Sequence, residues 1–451
     1  MTPRFSDHLR AHLSLGLPLI GSHIAQMAIN ITDTVMLGWY DIEALAALVL
    51  ATTLYIVLFL FGSGFAFAVM PLVSAAAEQG DETRIRRVAR MGLWVSGGFA
   101  LAVLPALWFS GPLLTALGQE PALAAGAQDY LRIMGLGILP ALGIMVLKSY
   151  LSALERTRVQ LLVTLGAALA NVAVNYALIF GNFGAPEMGI RGAALASLTV
   201  NLLSFIALAL YAARTFPGHA LFQRLWRPDL EALREVAAMG WHVGVTVLAE
   251  VGLFSLSSIL VGLLGTVALA AHGIALQLAS VSFMVPLGLA NAATVRAGRA
   301  WGRGDAPGLR AGARAAFSLG LGWAVLAAVL FVALPGPLIA LYIDPADPLR
   351  DEIVRAGRGL LLMAALFQLF DATQVNAISL LRGMQDTRGP MLIAAASYWL
   401  IGAPAAWALG IWLGFGAVGV WGGLVVGLTA AAILLSARFW RRSAHVAAVP
   451  G

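Results

Sequence analysis

The chain has 451 residues, 60% of them hydrophobic and 11% charged, with a formal net charge of +6. A soluble domain carries about 25% charged residues, so this chain cannot cover a water-facing surface and lipid must be its solvent. The absence of cysteine excludes disulfides, thiolate chemistry and cysteine metal sites.

A bilayer admits helices or a closed barrel. The charge-free runs 91–119, 159–186 and 315–343 exclude the short alternating strands of a barrel. Twelve apolar spans, each long enough for a crossing of ~20 residues, follow in chain order. The first, 11–38, holds Pro18, which removes a backbone bond and should bend the helix, and the polar residues Gln26 and Asp33. The ten polar residues before it, and its length, do not read as a cleaved signal. The second (46–76) and third (88–110) flank Arg84, Arg86, Arg87 and Arg90. The fourth (124–147) ends at Lys148, the only lysine. The fifth (160–182) carries Asn171 and Asn175 one turn apart, and the sixth (189–212) leads into a basic segment at 213–235. The seventh (236–264) holds Glu250; the eighth (270–295) and ninth (314–334) are separated by Arg296, Arg299, Arg303 and Arg310, with Arg314 at the start of the ninth; the tenth (355–380) holds Asp371. The uncharged run 389–437 divides at the glycine-rich stretch 410–416 into the last two spans, 390–410 and 416–437.

The connecting segments alternate in charge. Of the 28 basic residues, 23 fall on one side, and Arg132, Arg191, Arg350, Arg355 and Arg358 on the other. The positive-inside rule makes both termini cytoplasmic, in a multi-pass protein of a bacterial-type inner membrane. The basic excess is thus membrane-flanking arginine, and no nucleic-acid partner is expected.

The two halves repeat. Leu45-Ala46-Ala47, Gly80-Asp81, Arg86 and Arg90 match Leu269-Ala270-Ala271, Gly304-Asp305, Arg310 and Arg314 at an offset of 224. Further on, Leu154–Arg158 matches Met384–Arg388, and Met188–Gly192 matches Val418–Gly422, at 230. The expected fold is all-α: two like-oriented six-helix bundles, 1–212 and 236–451, joined by a cytoplasmic linker at 213–235. Duplicated bundles with a site at midplane are an architecture of secondary transporters.

With one lysine and no glycine-lysine dipeptide, a phosphate-cradling loop of the G-x-x-x-x-G-K-[ST] type is impossible. No organic cofactor is expected, and an ion gradient is left as the energy source. A charge at bilayer depth costs about 2.5–3.5 kcal/mol on insertion scales, so Asp33, Glu250 and Asp371 should face a cavity or the bundle interior. Glu250, Phe254 and Ser257 share one helix face, as do Phe367, Asp371 and Gln374. Two acids with oxygen donors and aromatic faces beside them suit Na+ or H+, and the aromatics suit organic cations or plain helix packing. The repeat places Gln26 where the second half has Glu250, and the first half has its own polar set in Asp33, Asn171 and Asn175. His12, His23, His242 and His272 lack ligand spacing.

The segment Asn30-Ile31-Thr32-Asp33-Thr34-Val35-Met36-Leu37-Gly38, Glu250, the stretch Phe367–Gln374 and the run Gly189–Ala194 resemble the multidrug and toxic compound extrusion (MATE) family, most closely its NorM-like branch. The resemblance covers essentially the whole chain. It implies cation-coupled export of small organic, often cationic, compounds by alternating access of two lobes, in a protein expected to be a monomer. It also implies a coupling-cation site at Glu250 and Asp371, with Na+ as the only metal, and an N-lobe polar or proton site at Asp33, Asn171 and Asn175. Gln26, Phe254, Phe367 and Gln374 are then candidate contacts for cation or substrate. Two positions depart from relatives: Phe367 replaces a tyrosine hydroxyl, and Asn175 is neutral where other branches have an acid.

The alternative is a flippase for a lipid-linked or polysaccharide intermediate. A pyrophosphate-bearing substrate needs basic residues within the cavity, and none falls at mid-span. An intramembrane aspartyl protease needs two converging acids, and no glycine-flanked acid pattern is present.

Overall fold

A computed structural model describes residues 4–446. The long helices are α1 (Phe5–Tyr40), α2 (Ile42–Glu78), α3 (Glu82–Trp108), α4 (Pro121–Ala153), α5 (Thr157–Phe180), α6 (Gly189–Thr215), α7 (Leu230–Gly262), α8 (Thr266–Gly302), α9 (Ala306–Ala333), α10 (Arg350–Gly383), α11 (Arg388–Trp412) and α12 (Gly416–Ser443). Among the described residues there is no strand. All but α1 are both long and apolar enough to cross a membrane. At 36 residues, α1 is about 54 Å long, and only its polarity sets it apart: His12, His23, Gln26, Asn30, Thr32, Asp33 and Thr34 interrupt its apolar residues.

The repeat is visible in the turns. Gly80 and Gly304 adopt left-handed φ of 68° and 67°, a region open to glycine at no steric cost. The next residues, Asp81 and Asp305, cap α3 and α9, accepting from the Arg84 and Gly308 amides at 2.8 Å each. The α4–α5 and α10–α11 turns match in the same way: Glu155 and Gln385 stand at φ 61° and 60°. Arg156 and Asp386 there donate their amides to the Leu151 and Leu381 carbonyls. Each half also places a short helix after its third long one, Ser110–Ala116 and Pro335–Ala340.

The chain forms two compact units. One is Gly21–Gly244; the other comprises the described residues up to Ile20 and those from Val245 onward. These boundaries differ from 1–212, 213–235 and 236–451, and small residues are the reason. A Cβ on Gly64 of α2 would stand 2.4 Å from the Gly244 amide nitrogen, and one on Gly240 would stand 2.5 Å from Phe65 Cα. The first half of α7 therefore packs tightly into the first unit. A Cβ on Gly288 of α8 would likewise stand 2.7 Å from the Ile20 nitrogen, which places the first half of α1 in the second unit. The connector before α7 also belongs to the first unit. Arg87 pairs with Asp229 and Glu231, Arg84 with Glu235, and Tyr150 bonds His219 at 2.6 Å.

Each unit has its own core. In the first, here called the first lobe, α4 is the most enclosed helix, with Leu131, Leu142, Leu147 and Tyr150 fully buried. In the second, α10 and α12 supply Leu361, Leu381, Trp421, Leu424 and Phe439. Glycines spaced by four on α12 (Gly419, Gly423 and Gly427) let α11 approach closely. A Cβ on Gly423 would stand 2.1 Å from the Ala406 nitrogen, and one on Gly427 would stand 2.8 Å from Gly402 Cα. Across this contact α11 widens into π-helical turns at Ser397–Gly402 and Ala408–Trp412, on either side of Pro404, whose missing N–H breaks the regular ladder.

Candidate functional site

In the first lobe, Asp33 is buried at a meeting point of α1, α5 and α6. Asn171 Nδ2 donates to its Oδ1 at 2.9 Å, Asn175 Nδ2 donates to the same oxygen, and Ser197 Oγ donates to Oδ2 at 2.9 Å. Asn175 also donates to Asn171 Oδ1 at 3.2 Å. Tyr130 of α4 is buried within electrostatic reach of Asp33. Both carboxylate oxygens are thus filled by neutral donors. Gln26 is exposed on α1 and takes no part in this cluster.

In the second lobe, Asp371 of α10 is 3% exposed, and its Oδ1 has no hydrogen-bond partner among the described residues. Glu250 of α7 is partly exposed and lies within electrostatic reach of Asp371. One turn along α10, Gln374 donates from Nε2 to the hydroxyl of Tyr398 on α11, which in this amide orientation leaves Oε1 without a partner. Ser397 Oγ, next to Tyr398, is buried and equally unpartnered. Tyr398 is fully buried and feels both carboxylates. Ser257 shares the Glu250 face, but its hydroxyl turns back to the Phe254 carbonyl at 2.7 Å.

An aromatic wall adjoins these acids. Phe254 meets Phe367 edge-on at 5.8 Å between centroids, and Phe367 meets Trp421 at 5.7 Å. Trp421 Nε1 donates to His272 Nδ1 at 3.0 Å, so His272 carries its proton on Nε2, 3.0 Å from Ser258 Oγ. The histidine is therefore occupied in positioning the tryptophan.

Chemically, the second-lobe arrangement is a cluster of two acids, an amide and a tyrosine hydroxyl, with the Arg382 guanidinium within electrostatic reach of Glu250. Two carboxylates within electrostatic reach of each other repel when both are charged, and a buried oxygen without a donor is costly. Hard cations take carboxylate, amide and hydroxyl oxygens, which are the groups left open here. The first-lobe pocket holds one carboxylate whose needs its own neighbours meet.

The match to a family model decides the relationship. The MatE model covers residues 18–177 and 243–408, one copy in each half. The chain belongs to the MatE family. Among MATE relatives, a "Probable multidrug resistance protein NorM" of Rhizobium meliloti is 47% identical over 445 residues, covering 98% of this chain and 95% of the relative. The protein of the same name in Agrobacterium fabrum is 45% identical over 435 residues, covering 96% and 94%. An outward-facing multidrug resistance MATE family transporter superposes with TM-score 0.87 at 18% identity, over 99% of both chains. A eukaryotic MATE transporter superposes with TM-score 0.84, also at 18% identity, over 98% of both. At those identities the structures speak for the fold, and the chain is a multi-pass MATE membrane protein, a transporter and not an enzyme.

Sequence reasoning missed several residues of the two MATE pockets. Ser197 and Tyr130 reach Asp33, and Tyr398 reaches the Asp371 cluster. The available signal was the Ser397-Tyr398 pair on an otherwise apolar span, followed by Pro404.

Proposed function

We propose that this MATE chain is a cation-coupled exporter of small organic, often cationic, compounds, working by alternating access of its two lobes. The observation that carries the proposal is the second-lobe cluster: Glu250 and Asp371 within electrostatic reach, with buried oxygens of Asp371 and Gln374 that no donor fills. Such a pocket takes up H+ or Na+ and, once neutralised, no longer attracts an organic cation. Exchange of the two is antiport. The multidrug resistance names of the relatives support the substrate class. The arginine-rich turns support an inner-membrane protein with both termini in the cytoplasm, and a single chain contains both pockets, consistent with a monomer.

The test is efflux of a fluorescent organic cation from proteoliposomes with a proton or a sodium gradient imposed alone. A gradient of 100 mV supplies about 2.3 kcal/mol per charge, enough for roughly fiftyfold accumulation. Uphill movement with one gradient is the expected result. Movement indifferent to both, or flipping of a fluorescent lipid in place of drug transport, overturns the proposal.

A further inference from the structure

The first lobe carries an apolar groove of about 890 Å3 between α3, α4, α6 and the connector before α7, with Trp94, Leu101, Leu139, Phe205, Phe222 and Trp226 among its lining. Its size is that of a ligand pocket, about 300–1,000 Å3. Gly97 and Gly98 open its wall: nothing lies within 4 Å of where a Cβ on Gly98 would stand.

One end of the groove is closed by the connector, which α3 holds in place. Trp94 Nε1 donates to the Leu225 carbonyl at 2.7 Å, and the Arg90 guanidinium donates to the Ala220 and Leu221 carbonyls at 2.5 and 2.9 Å. Charge at this end is mostly positive, with Glu82 against the connector at Gly218. Arg86 and Arg224 each lie close enough to Arg90 to repel it. Arg224 and Arg227 are exposed and form no ion pair among the described residues. The nearby acids Asp229, Glu231 and Glu235 are already committed to Arg87 and Arg84. Arg224 is also held at φ 53°, a left-handed conformation unfavourable for a residue with a Cβ, and strain of this kind gathers at ligand sites. Trp94 and Trp226, 42% and 74% exposed, have the character of side chains at headgroup level.

We propose that this groove binds an anionic phospholipid, its acyl chain among the apolar side chains and its phosphate against Arg224, Arg227 and Arg86. Basic residues at a membrane surface draw anionic lipid, and here an apolar slot continues from the basic end. The lipid would fasten the connector that joins the sixth and seventh helices.

The test uses the full-length protein in neutral detergent, with native mass spectrometry of retained phosphatidylglycerol against phosphatidylcholine of identical acyl chains. Wild type is expected to retain phosphatidylglycerol at least about fivefold better. Arg224→Gly relieves the strained backbone, so it does not threaten folding, and it is expected to lower the preference about fivefold. Gly98→Leu fills the open wall with a better helix former and is expected to lower retention of both lipids. Equal retention of the two lipids by wild type reduces the groove to ordinary lipid contact and overturns the proposal. So does an unchanged preference in Arg224→Gly, or unchanged retention in Gly98→Leu.

Discussion

Asp33 in the first lobe and Asp371 in the second are carboxylates buried within apolar helices of repeated bundles, and their surroundings are opposite. Asp33 receives bonds from Asn171, Asn175 and Ser197 on both its oxygens. Asp371 lies within electrostatic reach of a second acid and keeps an oxygen with no donor. The turns that set the scaffold hardly differ between the lobes, with left-handed glycines within 1° of one another followed by capping aspartates. Duplication thus preserved the backbone devices and left the polar interior free to diverge. One acid is satisfied by neutral donors, and the other lies near a second acid with an oxygen left without a donor.

The contrast breaks first at the second-lobe acids. Glu250→Gln and Asp371→Asn are each expected to lower gradient-driven efflux by about 100-fold, or ~2.7 kcal/mol, and the double variant to be little worse than either, because the two act on one cation. Additive losses, read as initial rates in proteoliposomes, would mean two separate sites. Asp33→Asn sharpens the other side. It replaces one acceptor oxygen by a donor that confronts Ser197 or the two asparagines, and a loss of about 1–3 kcal/mol in thermal or denaturant stability is expected, with gradient dependence of efflux retained.

The repeat supplies two smaller tests. Arg156 of the first lobe is matched by Asp386, which is buried and receives Arg438 Nε at 2.7 Å and Arg442 at 2.7 Å. Burial pushes the Asp386 carboxyl up, but these two arginines outweigh it and hold it below the ordinary carboxylate range. A depressed folded value means that the turn contributes stability above the ordinary carboxylate value and loses it as pH falls through the folded one. Melting curves should show wild type converging on Asp386→Asn as acid is added, from a gap of about 1–3 kcal/mol for charged hydrogen bonds; a constant gap would sink the assignment. Asp81→Ala and Asp305→Ala each remove a helix cap worth ~1 kcal/mol. Equal losses are expected, and a several-fold inequality would show that the turns are not equivalent.

Much of this was legible in the sequence for particular reasons. Gly80-Asp81 and Gly304-Asp305 are turn-and-cap signals whose meaning is local, so the repeat could be read without coordinates. Asp33, Glu250 and Asp371 stand out because a charge in an apolar run is costly. The first span was counted from its flanks, although its own polar residues leave α1, alone of the long helices described, without a stretch apolar enough to mark a crossing. Ser197 and Tyr398 were not legible, since hydroxyls are common on spanning helices and only tertiary packing decides which of them reach a buried acid. Tyr398 in particular depends on π-helical turns and on the glycine contact between α11 and α12. Gln26 shows the converse: its repeat position matches Glu250, yet its side chain is exposed and apart from the Asp33 cluster. The unit boundaries inside α1 and α7 were hidden for the same reason, because glycine contacts such as Gly64 with Gly244 are set by packing.

The most direct test compares Asp33→Asn and Asp371→Asn in proteoliposomes, plotting efflux rate against the size of the coupling gradient. The account predicts a flat line for Asp371→Asn and a wild-type slope, at reduced protein stability, for Asp33→Asn. A flat line for Asp33→Asn with the slope retained in Asp371→Asn would contradict it.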